Sequence, residues 1–187
     1  MATVYLDIET SGLKANEGRI VAIGIMRGES PEVRYAASLD EETALLDWLR
    51  RELEGCETLV TWNGSSFDIP FILSRAAFHR MNMGRLLRLP SLDLYEWSKA
   101  HLLLSSHRLE AVARFLGINA IGSFHGGDVP SLCKLADMGD AEAKRIVVEH
   151  CREDLMLLKR VHERLRPLVE GSGWMLPSPV VGGRSSE

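Results

Sequence analysis

Apolar residues change their period along this chain, and the change marks its elements. The first apolar runs are short and rich in Ile and Val: VYLDIE (4–9), RIVAIGIMRG (19–28) and EVRYAASL (32–39). Short connections between them predict three strands in an antiparallel meander. The period then lengthens. In EETALLDWLRRELEG, Leu45, Leu46, Leu49 and Leu53 fall on one helical face, and Gly55 closes the helix. TLVTWN (58–63) is a further compact strand, and FDIPFILSRAAFHRMN (67–82) reads as a loop entering a helix, with Pro70 tolerated near its start. LPSLDLYEW (89–97) holds a fifth strand that turns into a helix. RLEAVARFLGI (108–118) is a short amphipathic helix ended by Gly117. A glycine-rich loop at 122–131 follows, then a short helix in SLCKLADMG and a long helical pattern from Asp140 to about Val169. The order predicts an α/β domain over residues 1–170, with a mixed five-stranded sheet flanked by helices. Residues 171–187, dense in Gly, Ser and Pro, read as a flexible tail.

Composition narrows the class. The chain has 187 residues, of which 45% are hydrophobic, enough for one domain with a core of useful size. A formal net charge of -4 mildly opposes nucleic-acid binding on global charge alone. Local basic patches or bound cations must then do that work. Three cysteines, an odd number with no C-x-x-C pair, argue against a disulfide framework and a zinc site and fit a reducing cytoplasm. No apolar run reaches the roughly 18 residues that a membrane span needs. The N-terminus opens directly on strand-like sequence without a signal-peptide pattern.

The candidate chemistry is carboxylate. Asp7 and Glu9 sit two apart inside an apolar strand, so their side chains share one face. Burying unpaired carboxylates is costly, and either basic partners or a cation must compensate. Asp68 follows a strand and opens a helix. Taken singly, it also reads as a helix cap. Asp154 lies on the inward stripe of the last helix, with Val147, Cys151, Leu158 and Val161, and His150 is one turn before it. Taken singly, Asp154 reads as a solvated residue and Asp7 with Glu9 as half of a structural bridge. Together the four acids suit hard divalent cations such as Mg²⁺ or Mn²⁺. Two such ions about 4 Å apart clamp the attacking and leaving oxygens of a phosphodiester. A nearby His would orient or deprotonate the water.

At these residues the sequence resembles the DEDD superfamily of 3′-to-5′ exonucleases, which share the ribonuclease H-like fold. DIETSGL resembles the first motif, D-x-E on the first strand. NGSSFDIPFI (63–72) resembles the second, N-x-x-x-F-D-x-P, most like the proofreading domain of family B DNA polymerases. EHCREDL resembles the third, Tyr-Cys-x-x-Asp there and in YprB-like predicted exonucleases. SHRLEAVARFLGI is also similar to that subgroup. The resemblance spans about residues 3 to 165. It implies metal-site roles for Asp7, Glu9, Asp68 and Asp154: Asp7 bridging both ions, Glu9 and Asp154 at the ion that holds the water, and Asp68 at the second. It further implies that Asn63 and Phe67 shape a groove for a single strand. Leu13 would wedge at the terminal base, and the Thr10–Ser11–Gly12 backbone would approach the 3′ end. The implied activity is metal-dependent hydrolysis at the 3′ end of single-stranded nucleic acid, DNA ahead of RNA, with DNA repair as a setting.

The third motif departs from the family. His150 stands where the closest subgroup has Tyr, whereas the subgroup that uses His spaces it as H-x4-D, a position held here by Glu149. A one-residue shift turns a helical side chain by about 100°. His150 therefore either orients the water as the tyrosine would, acts as general base, or does neither. Two other readings follow: a catalytically weak binding or scaffold module, and a structure-specific endonuclease of the same fold. Basic candidates for phosphate contact are Arg75, His79, Arg80, Arg85, Arg88, His107 and Arg108. Each also reads as a solvated charge. Asp93 reads as a helix cap.

Overall fold

The computed structural model describes residues 3–119 and 129–173. Among them the chain forms strands β1 (Thr3–Thr10), β2 (Ile20–Arg27), β3 (Ser30–Tyr35), β4 (Thr58–Thr61) and β5 (Ser91–Asp93). The helices are α1 (Leu39–Glu52), α2 (Asp68–Phe78), α3 (Leu94–His101), α4 (Leu109–Phe115), α5 (Val129–Asp137) and α6 (Ala141–Ser172). The five strands make one mixed sheet in the order β3-β2-β1-β4-β5. The first three pair antiparallel, as the short connections predict, and β4 and β5 join parallel on the other side of β1. The fold class is therefore the expected one.

β1 is the middle strand of the sheet, and both its faces are covered. Val4, Leu6 and Ile8 pack with Leu45, Leu46 and Leu49 of α1 and with Phe71 and Ile72 of α2. Tyr5 packs on the opposite face with Leu155, Leu158 and Val161 of α6 and with Trp97 and Val112. Each such aliphatic side chain, fully buried, contributes roughly 1.5–3 kcal/mol. α6 is thus fixed across the face that also carries Asp7 and Glu9. Gly24 pairs with Asp7 in the β1–β2 ladder, and a Cβ there would meet Cys151 Sγ and Leu155 Cδ1 at 2.6 Å. Glycine at that position lets α6 come down onto the sheet beside Asp7.

The boundaries of β3, α5 and α6 differ from expectation. β3 ends at Tyr35 rather than residue 39, because Ser38 turns out of the sheet to cap α1 and accepts from the Glu41 amide. Pro31, expected to punctuate the chain, lies within β3, which is tolerated because β3 is an edge strand. α5 begins at Val129, so the last residues of the expected 122–131 loop are helical, and 120–128 lie outside the described residues. α6 starts after the Asp140 cap and continues to Ser172, whose Oγ accepts from Trp97 Nε1 at 3.1 Å. Gly171 and Ser172 of the expected tail thus belong to the helix, and residues 174–187 lie outside the described residues. Cys56, Cys133 and Cys151 are all buried free thiols. Among the described residues no helix is long and apolar enough to cross a membrane.

Candidate active site

The site lies at the C-terminal end of β1, where successive connections leave to opposite sides of the sheet. Such a switch point opens a crevice in α/β sheets. β4 pairs with β1 only over Thr3–Tyr5, and further along β1 the Ile8 amide donates to Asp68 Oδ1 at 3.2 Å. Asp68 is the first residue of α2 and is buried. Its carboxylate therefore sits against the strand that carries Asp7 and Glu9.

Across the other face α6 runs back along β1. Tyr5 Oη is hydrogen-bonded to His162 Nδ1 at 2.9 Å, Cys151 Sγ lies 3.9 Å from the Asp7 carbonyl, and His150 Nε2 lies 3.9 Å from Glu9 Oε1. His150 Nδ1 is also 3.9 Å from Asp154 Oδ1. The buried imidazole thus stands between two of the acids, at distances longer than a direct hydrogen bond. Ligand atoms of Asp7, Glu9 and Cys151 fall within 4.8 Å of one another.

Among the described residues no Lys or Arg side chain pairs with these four acids, and His150 is the basic group nearest to Glu9 and Asp154. Burial, then the Asp154 and Asp68 carboxylates, push Asp7 well above the ordinary range. Burial, then Asp7, does the same to Glu9. Burial raises Asp68 to about 7 against the opposing pull of its own and the Ile8 amides. Burial, then Glu110 and Glu153, raise Asp154 to about 7. Asp7 Oδ2 is buried without a hydrogen-bond partner among the described residues. An orphaned buried carboxylate oxygen is unfavourable on its own and favourable as a ligand. The donors are mostly hard carboxylate oxygens, so the cluster fits a divalent cation of the Mg²⁺ or Mn²⁺ type.

The acids open into a cleft of about 240 Å³. Nine residues singled out in the sequence line it, namely Asp7, Glu9, Thr10, Leu13, Asn63, Phe67, Asp68, His150 and Asp154, whereas Ser11 and Gly12 do not. Leu13 is 76% exposed at its rim, which leaves an apolar side chain free to meet a ligand. Thr10 Oγ1 donates to the Gly12 carbonyl at 2.8 Å, holding the turn that carries Leu13. Ile8, Trp62, Val129 and Pro130 complete the lining. Trp62 was legible only as the end of a strand, although it directly precedes Asn63. Val129 and Pro130 were assigned to the glycine-rich loop.

The basic candidates fare differently, and none of the seven lines the cleft. Arg75 and His79 bind buried Glu42, Arg85 donates to the carbonyls of Leu53, Glu54 and Cys56, and His107 Nδ1 is hydrogen-bonded to Ser98 Oγ. Arg80, Arg88 and Arg108 are exposed. Asp93 caps α3, as expected, and also accepts hydrogen bonds from the turn after β4.

Comparison with known proteins agrees with this architecture. The chain is 33% identical over 178 residues to uncharacterized protein MJ0365 of Methanocaldococcus jannaschii, covering 91% of this chain and 97% of that one. Its fold is similar to that of the family B DNA polymerase from the hyperthermophilic archaeon Pyrobaculum calidifontis, with a TM-score of 0.70 at 15% identity. That match covers 90% of this chain and 25% of the polymerase, so the chain spans about a quarter of the larger enzyme. The sequence model of the RNase_H superfamily matches residues 4–166, from the strand of Asp7 and Glu9 through the helix of Asp154. With the sheet order, the acids at its switch point and this match over nearly the whole described chain, the protein belongs to the RNase H superfamily.

Proposed function

We propose that this protein is a metal-dependent 3′-to-5′ exonuclease that hydrolyses phosphodiester bonds at the 3′ end of single-stranded nucleic acid, DNA ahead of RNA. The observation that carries the reading is the convergence of Asp7, Glu9, Asp68 and Asp154 in one cleft, with an Asp7 oxygen buried and unpartnered. The motif resemblance of NGSSFDIPFI favours an exonuclease over an endonuclease of the same fold. The likeness to a family B polymerase is in keeping with DNA as substrate. Domain 1–170 would carry the activity, in the reducing cytoplasm that three free buried thiols fit. DNA repair is the setting we favour.

Asp7, Glu9, Asp68 and Asp154 would hold two divalent cations, Mg²⁺ or Mn²⁺. When bound, these supply an activated water and neutralise charge developing at the phosphate. His150, between Glu9 and Asp154, stands where an imidazole can orient that water or take its proton. Asn63 and Phe67 would hold the strand from the α2 side, with Leu13 against the terminal base.

The test is degradation of 5′-labelled single strands, DNA and RNA in parallel, with Mg²⁺, Mn²⁺ or chelator. A ladder shortening from the 3′ end is expected only with metal. Loss of one carboxylate that would hold the cations would remove several kcal/mol of charge stabilisation, so Asp7→Asn should slow cleavage roughly a thousandfold or more. Cleavage of a circular strand would assign an endonuclease. Intact strands with no calorimetric uptake of Mn²⁺ would assign a binding module.

A further inference from the structure

We propose that Asp93, which does not line the cleft, is a positioning residue: its carboxylate holds the turn between β4 and α2 in the shape that presents Asn63 and Phe67 to a nucleic-acid strand. The inference rests on the exonuclease reading above. A cap for α3 needs only the Tyr95 and Glu96 amides, which donate to Oδ1 at 3.1 and 3.4 Å. Asp93 takes three further bonds from the turn. The Asn63 amide donates to Oδ1 at 2.9 Å, and the Ser65 amide and hydroxyl donate to Oδ2 at 2.9 and 2.6 Å. The carboxylate is 1% exposed, so these charge-assisted bonds are shielded from water.

The turn needs such a clamp. Asn63 adopts a left-handed φ of 62°, which a side chain rarely takes without support. Gly64 follows with no room for a Cβ, which would meet Thr61 at 2.5 Å. The Asn63 carbonyl then accepts from the Ser66 and Phe67 amides at 3.2 and 3.0 Å, which delivers Phe67 and Asp68 to α2. The donors that Asp93 holds belong to the two residues flanking Gly64. Asn63 and Phe67, unlike Asp93, line the cleft. Asp93 therefore acts through the turn and not on the substrate.

Asp93→Asn and Ser65→Ala, in the full chain, separate this role from capping, because Ser65→Ala leaves the α3 amides bonded. KM for a 5′-labelled single strand should rise roughly tenfold in Asp93→Asn and about threefold in Ser65→Ala, with kcat changing by less than about twofold. The Mn²⁺ isotherm should stay unchanged, and amide exchange at Asn63 and Ser65 should quicken. Combining Asp93→Asn with Asn63→Ala should raise KM by less than the product of the single effects, because both act through one turn. Unchanged KM in both variants, or fully multiplicative effects with Asn63→Ala, would overturn the proposal. If the wild type leaves strands intact, the exonuclease reading falls on its own. Amide exchange then judges the clamp, and unaltered protection in Asp93→Asn overturns it.

Discussion

Two sets of buried carboxylates lie on this sheet, and their surroundings are opposite. Glu42 of α1 is fully buried and accepts four hydrogen bonds: the Ile20 amide and Arg75 Nε on Oε1, Arg75 and His79 on Oε2, all at 2.7–2.8 Å. Burial alone would raise its carboxyl, but Arg75, His79 and the Ile20 amide outweigh that and hold it below the ordinary range. Asp7, Glu9, Asp68 and Asp154 are pushed the other way, by burial and by one another. A satisfied buried carboxylate ties α1, α2 and β2 together. The acids of the cleft repel one another, and protonation or a ligand of positive charge relieves that repulsion. The contrast separates a carboxylate paired within the fold from carboxylates gathered in an open cleft.

The comparison breaks most strongly at Arg75. Arg75→Met leaves Glu42 buried with its main partner gone, and should lower stability by roughly 3–5 kcal/mol in urea unfolding. A loss under about 1 kcal/mol, the range of exposed pairs, would show that Glu42 needs no such partner. Mn²⁺ sharpens the other side. At a hundred times its dissociation constant it should add about 2.7 kcal/mol to the wild type and far less to Asp7→Asn, read as the shift of the thermal midpoint. Without metal the order reverses: Asp7→Asn removes a repelled charge, and a gain of about 1 kcal/mol corresponds to roughly 2–4 °C in Tm. A lower Tm in that variant would mean that Asp7 is satisfied in the metal-free protein.

Acid gives the smallest effect. The folded value of Glu42 lies below its unfolded value, so its contribution is complete above about pH 4.5 and is lost as pH falls through the folded value. The gap in urea midpoint between wild type and Glu42→Gln should therefore be constant near neutrality and narrow only in that acid range. Narrowing that begins near pH 7 would contradict a lowered carboxyl.

Much of the site was legible because its logic is periodic. The two-residue spacing of Asp7 and Glu9 places both on one strand face, and the i+3 and i−4 relation of Asp154 to Cys151 and Leu158 places it on the buried stripe of α6. The three motifs then brought all nine residues to one cleft. The basic residues were not legible in this way. Arg75, Arg85 and His79 look like any solvated charge in sequence, and their partners lie roughly 30 residues away. Asp93 was legible as a cap, since its first partners are two and three residues on. Its bonds to Asn63 and Ser65 come from the neighbouring strand's turn.

The sequence by itself determined the order of elements, the face on which each acid lies and the class of ligand those acids suit, because period and donor chemistry are local properties. Only the tertiary structure decided that Gly24 must be bare for α6 to approach Asp7, that Glu42 takes up Arg75 of α2, and that Asp93 reaches the turn of Asn63. Those outcomes depend on distances between segments remote along the chain, which are set by packing across the sheet and have no signature in the spacing of residues.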